Sequence, residues 1–288
     1  MRMPSRVTLL QLLLLLVATA LPAGANEFFA MDTVARGEPT AVSTMLRELG
    51  YDGIGGTALD ESVPAAIAGA GLRFYNGYHV IRFSAEQSAI DPKLRLWLDH
   101  MHGSRTVLWL AIEDVSIGGK PSVSSSAGAA DSVVIDRLRA LADYAAKNNV
   151  SLSLYPHTGY WLAHFEDAIR LANELDRSDV GVTFNLCHWL KVEGSARDPL
   201  PLIRAALPRL NFVTINGADT GDTPSMGWDR LIQPLGSGSF DTAGLVKAII
   251  GLGYRGPFGL QGYGIPGEPR DILETSMTAW KTMTGPVR

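Results

Sequence analysis

The chain has 288 residues, a net charge of −4 and no long run of Lys or Arg. That balance offers nothing to a phosphate backbone and argues against nucleic acid as a partner. The length suits one large α/β domain or two small ones, and the single cysteine, Cys187, excludes an internal disulfide.

Residues 1–25 read as a secretory signal peptide. Arg2 and Arg6 make a positive start, Val7 to Val17 is apolar except for Thr8 and Gln11, and Leu21-Pro22-Ala23-Gly24-Ala25 supplies small residues before a cut after Ala25. The rival reading is an uncleaved membrane anchor, but the apolar run falls short of the ~20 residues a span needs. The mature chain is then residues 26–288, exported to the periplasm or secreted, with no membrane association after cleavage.

From Asn26 onward, strands and helices alternate. Glu27–Asp32 reads as a first strand. Val42, Met45, Leu46 and Leu49 stripe one helical face, and Gly50 stops that helix. Asp52–Gly56 is a short second strand, followed by a helix carrying Val63, Ala66, Ile67 and Ala70. Leu72–Ile81 holds a third strand, and Pro92 opens a helix with Leu94, Trp97, Leu98 and Met101 inward. Thr106–Ile112 is almost wholly apolar, as a strand covered on both faces should be. Residues 117–130 are rich in Gly and Ser and read as a loop.

A helix with Val134, Leu138, Leu141 and Ala145 follows, then a strand over Val150–Leu154 and a helix marked by Phe165, Ile169, Ala172 and Leu175. Val180–Phe184 is the sixth strand, and Ile203, Ala206, Leu207 and Leu210 mark the next helix. Phe212–Ile215, a helix with Leu245, Ala248, Ile249 and Leu252, the strand Pro257–Leu260 and a helix with Ile272, Ser276, Met277 and Trp280 complete the series. Eight alternations without a composition break predict a single (β/α)8 TIM barrel. The runner-up, an open doubly wound sheet, lacks its Gly-x-Gly-x-x-Gly after the first strand.

Active sites of such barrels lie at the C-terminal ends of the strands. This chain puts Asp32, Tyr78, His79, Glu113, Asp114, Tyr155, His157, Tyr160, Asn185, His188, Thr214, Asn216, Gln261 and Tyr263 there. Amides, phenols and neutral imidazoles both donate and accept hydrogen bonds, which suits a polyol. Trp161 and Trp189 could stack on sugar faces or pack into the core. Gly236-Ser-Gly-Ser239 reads as a turn before an Asp241 helix cap rather than as a phosphate cradle.

Several of these segments resemble the xylose isomerase-like barrels, the sugar phosphate isomerase and epimerase group. They are Leu49-Gly-Tyr-Asp-Gly53, Tyr155-Pro-His157, the Asn185-to-His188 pair, Pro234-Leu-Gly-Ser-Gly-Ser-Phe-Asp241 and Gly253-Tyr-Arg-Gly256. The resemblance covers Phe28 to about Trp280. It implies one divalent metal, held where this chain has Tyr155, Asn185, His188, Thr214 and Gln261, with two glutamates as opposed acid and base. Only His188 matches, and neither glutamate is present. Without carboxylates the set offers a Mg- or Mn-type cation no compensating charge, so a single divalent metal is disfavoured.

Two arrangements stay open. Glu113, His157 and His188 could hold a displaced transition metal such as zinc. Alternatively the two histidines are acid and base without metal, with Glu113 orienting one of them. The expectation is an exported sugar isomerase or epimerase-like enzyme for a neutral sugar or sugar derivative. His188, His157 and Glu113 are its catalytic residues, and Asn185, Gln261, Asn216, His79 and Tyr155 bind the carbohydrate. The alternatives are a lyase or hydratase on an oxidised sugar and a non-catalytic carbohydrate-binding barrel.

Overall fold

The computed structural model describes residues 26–60, 62–83, 90–117, 120–122 and 129–285. The expected signal peptide and most of the Gly/Ser-rich segment lie outside the described residues.

The wall of the fold is parallel. Its strands are β1 (Phe28–Met31), β2 (Gly53–Gly55), β3 (Arg73–Phe74), β4 (Asn76–Phe83), β5 (Val107–Ile117), β7 (Ser151–Leu154), β8 (Val180–Asn185), β9 (Leu210–Ile215) and β10 (Phe258–Leu260). They run in the order β3-β2-β1-β10-β9-β8-β7-β5-β4. β3 and β4 are two parts of one passage, separated only by Tyr75. The Tyr75 N–H donates to Ile54 O of β2, and its carbonyl accepts from Val107 N of β5. The ring therefore closes through this passage, as the predicted (β/α)8 barrel requires. One short piece, β6 (Lys120–Pro121), pairs antiparallel with the end of β5.

Helices α1 (Pro39–Leu49), α2 (Ser62–Gly69), α3 (Pro92–His100), α4 (Ala129–Lys147), α5 (Phe165–Leu175), α7 (Leu200–Ala206) and α9 (Thr242–Gly251) lie between successive strands, and α10 (Pro269–Thr284) follows the last. Local chemistry sets their ends. Glu38 accepts from Thr40 N and Ala41 N ahead of Pro39, and Gly50 closes α1 in the left-handed region at φ 88°. Asp91 caps α3 through Leu94 N, and Asp241 caps α9 through Gly244 N, which supports the turn-and-cap reading of that loop. Leu210 departs from its expected helical place. A 3-10 turn at Leu207–Arg209 ends that helix early, and Leu210 opens β9.

The barrel interior is an aromatic plug. Phe29 stacks on Tyr75 at 4.3 Å, Trp109 stacks on Tyr155 at 5.0 Å, and Phe212 meets Phe29 and Trp109 edge-on at 5.9 and 5.2 Å. Such pairs contribute about 0.5–1.5 kcal/mol each beyond their buried area. Glycine makes the room. A Cβ on Gly259 would lie 2.6 Å from the Phe29 ring, and one on Gly55 would lie 2.7 Å from both Phe29 and Met31. On the β7–β8 side the interior is polar and small, with the Ser153 and Thr183 hydroxyls bonded at 2.8 Å. Trp161 and Trp189 are buried in the outer core between helices and wall.

Candidate active site

A cavity of about 290 Å³ sits on this plug, at the C-terminal end of the barrel. Met31, Trp109 and Tyr155 form its floor. Thr33, Thr57, Tyr78, His157, Cys187, His188, Gln261 and Tyr263 line its sides, with Trp228 and Ile232 from a loop helix. No Asp, Glu, Lys or Arg stands among these residues.

His188 arrives by a route that strand-and-helix periodicity missed. Directly after β8 the chain turns into α6 (Leu186–Glu193). Asn185 is its N-cap, with Oδ1 accepting from Cys187 N at 3.1 Å and His188 N at 3.4 Å. This cap places His188 in the first helical turn, 8% exposed. A second small helix, α8 (Trp228–Leu231), brings Trp228 edge-on to His188 at 5.7 Å. The preceding loop is tied to α6 by Lys191 Nζ donating to Met226 O and Thr223 Oγ1 donating to Leu190 O.

His157 follows β7, and its ring centre lies 4.1 Å from that of His188. Thr158 connects the two. His157 Nδ1 lies 2.8 Å from Thr158 O, which can only accept, so in the neutral ring the proton sits on Nδ1. Thr158 N, which can only donate, points at His188 Nδ1 at 3.4 Å, so the neutral His188 ring carries its proton on Nε2. The network thus assigns opposite tautomers to the pair. Burial lowers the pKa of His157, against the opposing effects of the Thr158 bond and Glu113. Burial lowers that of His188 much further, and His157 adds to it. Both rings are therefore neutral near neutral pH. Among the described residues neither Nε2 has a hydrogen-bond partner.

Tyr155 and Gln261 also line the cavity, as expected. Asn185 lies just behind it, donating from Nδ2 to the Tyr155 hydroxyl. The other expected site residues are held elsewhere. His79 Nε2 is 3.2 Å from Asp91. Asn216 donates to the carbonyls of Gly217 and Leu231. Glu113 is paired with Arg82 at 2.5 Å and makes no hydrogen bond to either histidine. The displaced zinc arrangement does not assemble, for no three His, Cys, Asp or Glu side chains among the described residues are grouped to hold a metal. Cys187 is buried, which pushes its thiol up to about 12, so it is no ready thiolate. Thr33, Thr57, Trp109 and Trp228 line the cavity without having been expected there. Only Trp109 left a signal, an inward position two residues before Ala111 in an apolar strand.

A model of the xylose isomerase-like TIM barrel matches residues 100–283. The chain belongs to that family. It is 26% identical to 3-dehydroshikimate dehydratase of Pseudomonas aeruginosa over 142 residues, 49% of this chain but 22% of the relative. The enzyme of that name from Pseudomonas putida matches at 26% over 148 residues with the same coverage. The match thus spans about a fifth of the length of these curated relatives. Among solved structures, the IOLI protein with a binding zinc atom superposes with TM-score 0.70 at 11% identity, covering 90% of this chain and 98% of the other. A 3-keto-D-glucoside 4-epimerase from E. coli gives 0.66 at 18%, covering 88% and 98%. A D-allulose 3-epimerase from Methylomonas sp. gives 0.64 at 17%, covering 90% and 97%.

The metal implied by the family resemblance does not fit the donor set here. Full burial raises the Tyr155 phenol well above its ordinary value, so it stays uncharged. The Asn185 oxygen is spent on the α6 cap, and Gln261 Oε1 accepts from Thr33 Oγ1 and Tyr263 N at 2.9 and 3.1 Å. Thr214 Oγ1 donates to Phe184 O at 3.5 Å. One imidazole among neutral, occupied groups lacks the anionic oxygens that such cations require.

Proposed function

We propose that this chain is an exported enzyme that isomerises or epimerises a neutral sugar or sugar derivative by proton transfer between His157 and His188. The observation that carries this reading is the pair of opposed tautomers in an uncharged cavity. His157 Nε2 is a free lone pair and can act as a base, while His188 Nε2–H can act as an acid.

In the first step His157 Nε2 takes the proton from a carbon beside a carbonyl. The C–H electron pair forms a carbon–carbon double bond, and the carbonyl oxygen takes up the charge. In the second step His188 Nε2–H returns a proton. Delivery to the same carbon from the other face inverts it, and delivery to the old carbonyl carbon moves the carbonyl when the hydroxyl on the deprotonated carbon passes its proton to the old carbonyl oxygen. Exchange with solvent then restores both rings. Their lowered pKa values suit this work, since the base must be neutral to act.

The lining is uncharged among the described residues, and that favours a neutral ligand, because a charged one would find no counter-charge there. Trp109, Trp228 and Tyr263 offer apolar faces, and Thr33, Thr57, Tyr78 and Gln261 match hydroxyls. The similarity to the Pseudomonas 3-dehydroshikimate dehydratases favours a second reading, dehydration of a hydroxy-carbonyl compound. His157 would act as before, and His188 would protonate a departing hydroxyl.

The test is incubation of the mature chain with a panel of neutral keto-sugars in deuterium oxide, followed by NMR. Deuterium at the carbon beside the carbonyl, lost in His157→Gln, supports the proposal. Loss of water from the ligand selects the second reading. No exchange with any sugar, while the sugars still bind, leaves the barrel a carbohydrate-binding protein.

A further inference from the structure

Tyr155 stands where hydrogen-bond accounting leaves a phenolic proton with nowhere to go inside the protein. The orientation of the Asn185 amide is fixed, because its Oδ1 faces two backbone N–H groups, and so its Nδ2 is the atom that donates to Tyr155 Oη. Gln261 is fixed in the same way. Tyr263 N must meet an acceptor, so Oε1 faces it, which leaves Nε2 as the donor, and the Gln261 amide eases the rise that burial imposes on the Tyr155 phenol. The Tyr155 oxygen therefore accepts from the Asn185 amide. Among the described residues no group accepts the Tyr155 O–H, and Tyr155 lines the cavity together with Gln261, His157 and His188.

We infer that the Tyr155 hydroxyl donates a hydrogen bond to the carbonyl oxygen of a neutral keto-sugar and holds the negative charge that develops there. This rests on the proton-transfer reading and adds the group that reading lacks. Taking a proton from carbon sends an electron pair to oxygen, and with no cation lining the cavity among the described residues that oxygen needs a fixed donor. N–H groups aimed at the phenol oxygen polarise its O–H and stabilise charge that moves onto it. The phenol, backed by the Asn185 amide, thus does by hydrogen bonding what a Lewis acid would do. Asn185 and Gln261 are positioning residues behind it. Asn185, Gln261 and Tyr155 are then retained as one neutral unit, rather than being remnants of a lost centre.

The experiment is deuterium wash-in to neutral keto-sugars, comparing wild type, Tyr155→Phe and His157→Gln, with circular dichroism and melting to confirm the fold. Removing a donor of this kind lowers kcat by roughly 10²–10³-fold, with KM changed far less. Because Tyr155→Phe strands the Asn185 amide N–H and can unfold, a second protein carries 3-fluorotyrosine at position 155. Its shape is nearly the same and its O–H is more acidic, so exchange should quicken. Wild-type rates in either protein would overturn the inference. A slow Tyr155→Phe beside an unaffected His157→Gln would keep the inference and discard His157 as the base. No exchange by wild type would overturn both.

Discussion

A histidine pair 4.1 Å apart survives burial only if neither ring is charged. That condition has a stability signature. His188 has its pKa depressed in the folded chain, while the unfolded chain titrates near the ordinary value of about 6.5. As pH falls below that value, the unfolded state takes up a proton that the folded state refuses. The stability contribution is thus full above about pH 6.5 and is lost as pH falls toward the depressed folded value. The melting temperature of wild type should fall below that pH more steeply than that of His188→Gln, by up to about 1.4 kcal/mol per pH unit. Parallel acid limbs in a calorimetric series would show that His188 is not held neutral. Catalysis has the matching dependence. Activity should persist below the ordinary imidazole range, and His157→Gln should lose about 10²–10⁴-fold. At this scale the sequence was informative where a residue follows a strand directly. His157, His188, Tyr155 and Gln261 were readable from strand ends. Glu113, His79 and Asn216 were not, because an Arg82 partner, an Asp91 partner and two backbone carbonyls claim them. Arg82 lies 31 residues from Glu113, Asp91 12 from His79 and Leu231 15 from Asn216, and each pairing depends on side-chain direction, which periodicity does not encode.

Among the elements, α6 matters most to the site. It is one short helix whose cap residue also supports Tyr155, so a single side chain sets both a helix start and a phenol. Asn185→Ala should cost about 0.5–2 kcal/mol for the cap alone. It should also slow exchange through Tyr155, so stability and kcat fall together. Melting and steady-state rates on that variant check both, and a stability loss with unchanged kcat would separate the cap from the site. The sequence pattern read Asn185 and His188 as strand-end polar residues, since an eight-residue helix has too few turns to show a stripe. It read α1, α3 and α9 with their caps, because Gly50, Pro92 and Asp241 act through neighbours within a turn. The barrel strands also carry a testable constraint. Gly259→Ala would drive a methyl into the Phe29 ring and should cost about 1–3 kcal/mol, read as a lower denaturation midpoint. An unchanged midpoint would mean that the aromatic plug is loose.

For the whole molecule, the parallel wall and the outer helices were legible, because burial on both faces writes long apolar runs into a barrel's strands. The plug was not, since inward aromatics and inward glycines look alike in a strand that is apolar throughout. Nor was the cavity, which depends on α8 and on how residues from distant strands converge. Among the described residues no helix is long and apolar enough to cross a membrane. Export remains our proposal from residues 1–25 and is tested by N-terminal sequencing of the protein recovered outside the cytoplasm. A first residue of Asn26 supports it, and an intact Met1 would sink it.

The proposed acid–base pair is defined by where two protons sit. Long-range proton–nitrogen correlation NMR at neutral pH, assigned with His157→Gln and His188→Gln, reads them without any substrate. The prediction is two neutral rings of opposite tautomer, with the proton on Nδ1 of His157 and on Nε2 of His188. Identical tautomers, or a charged imidazolium at either position, would contradict the acid–base pair on which the proposed function stands.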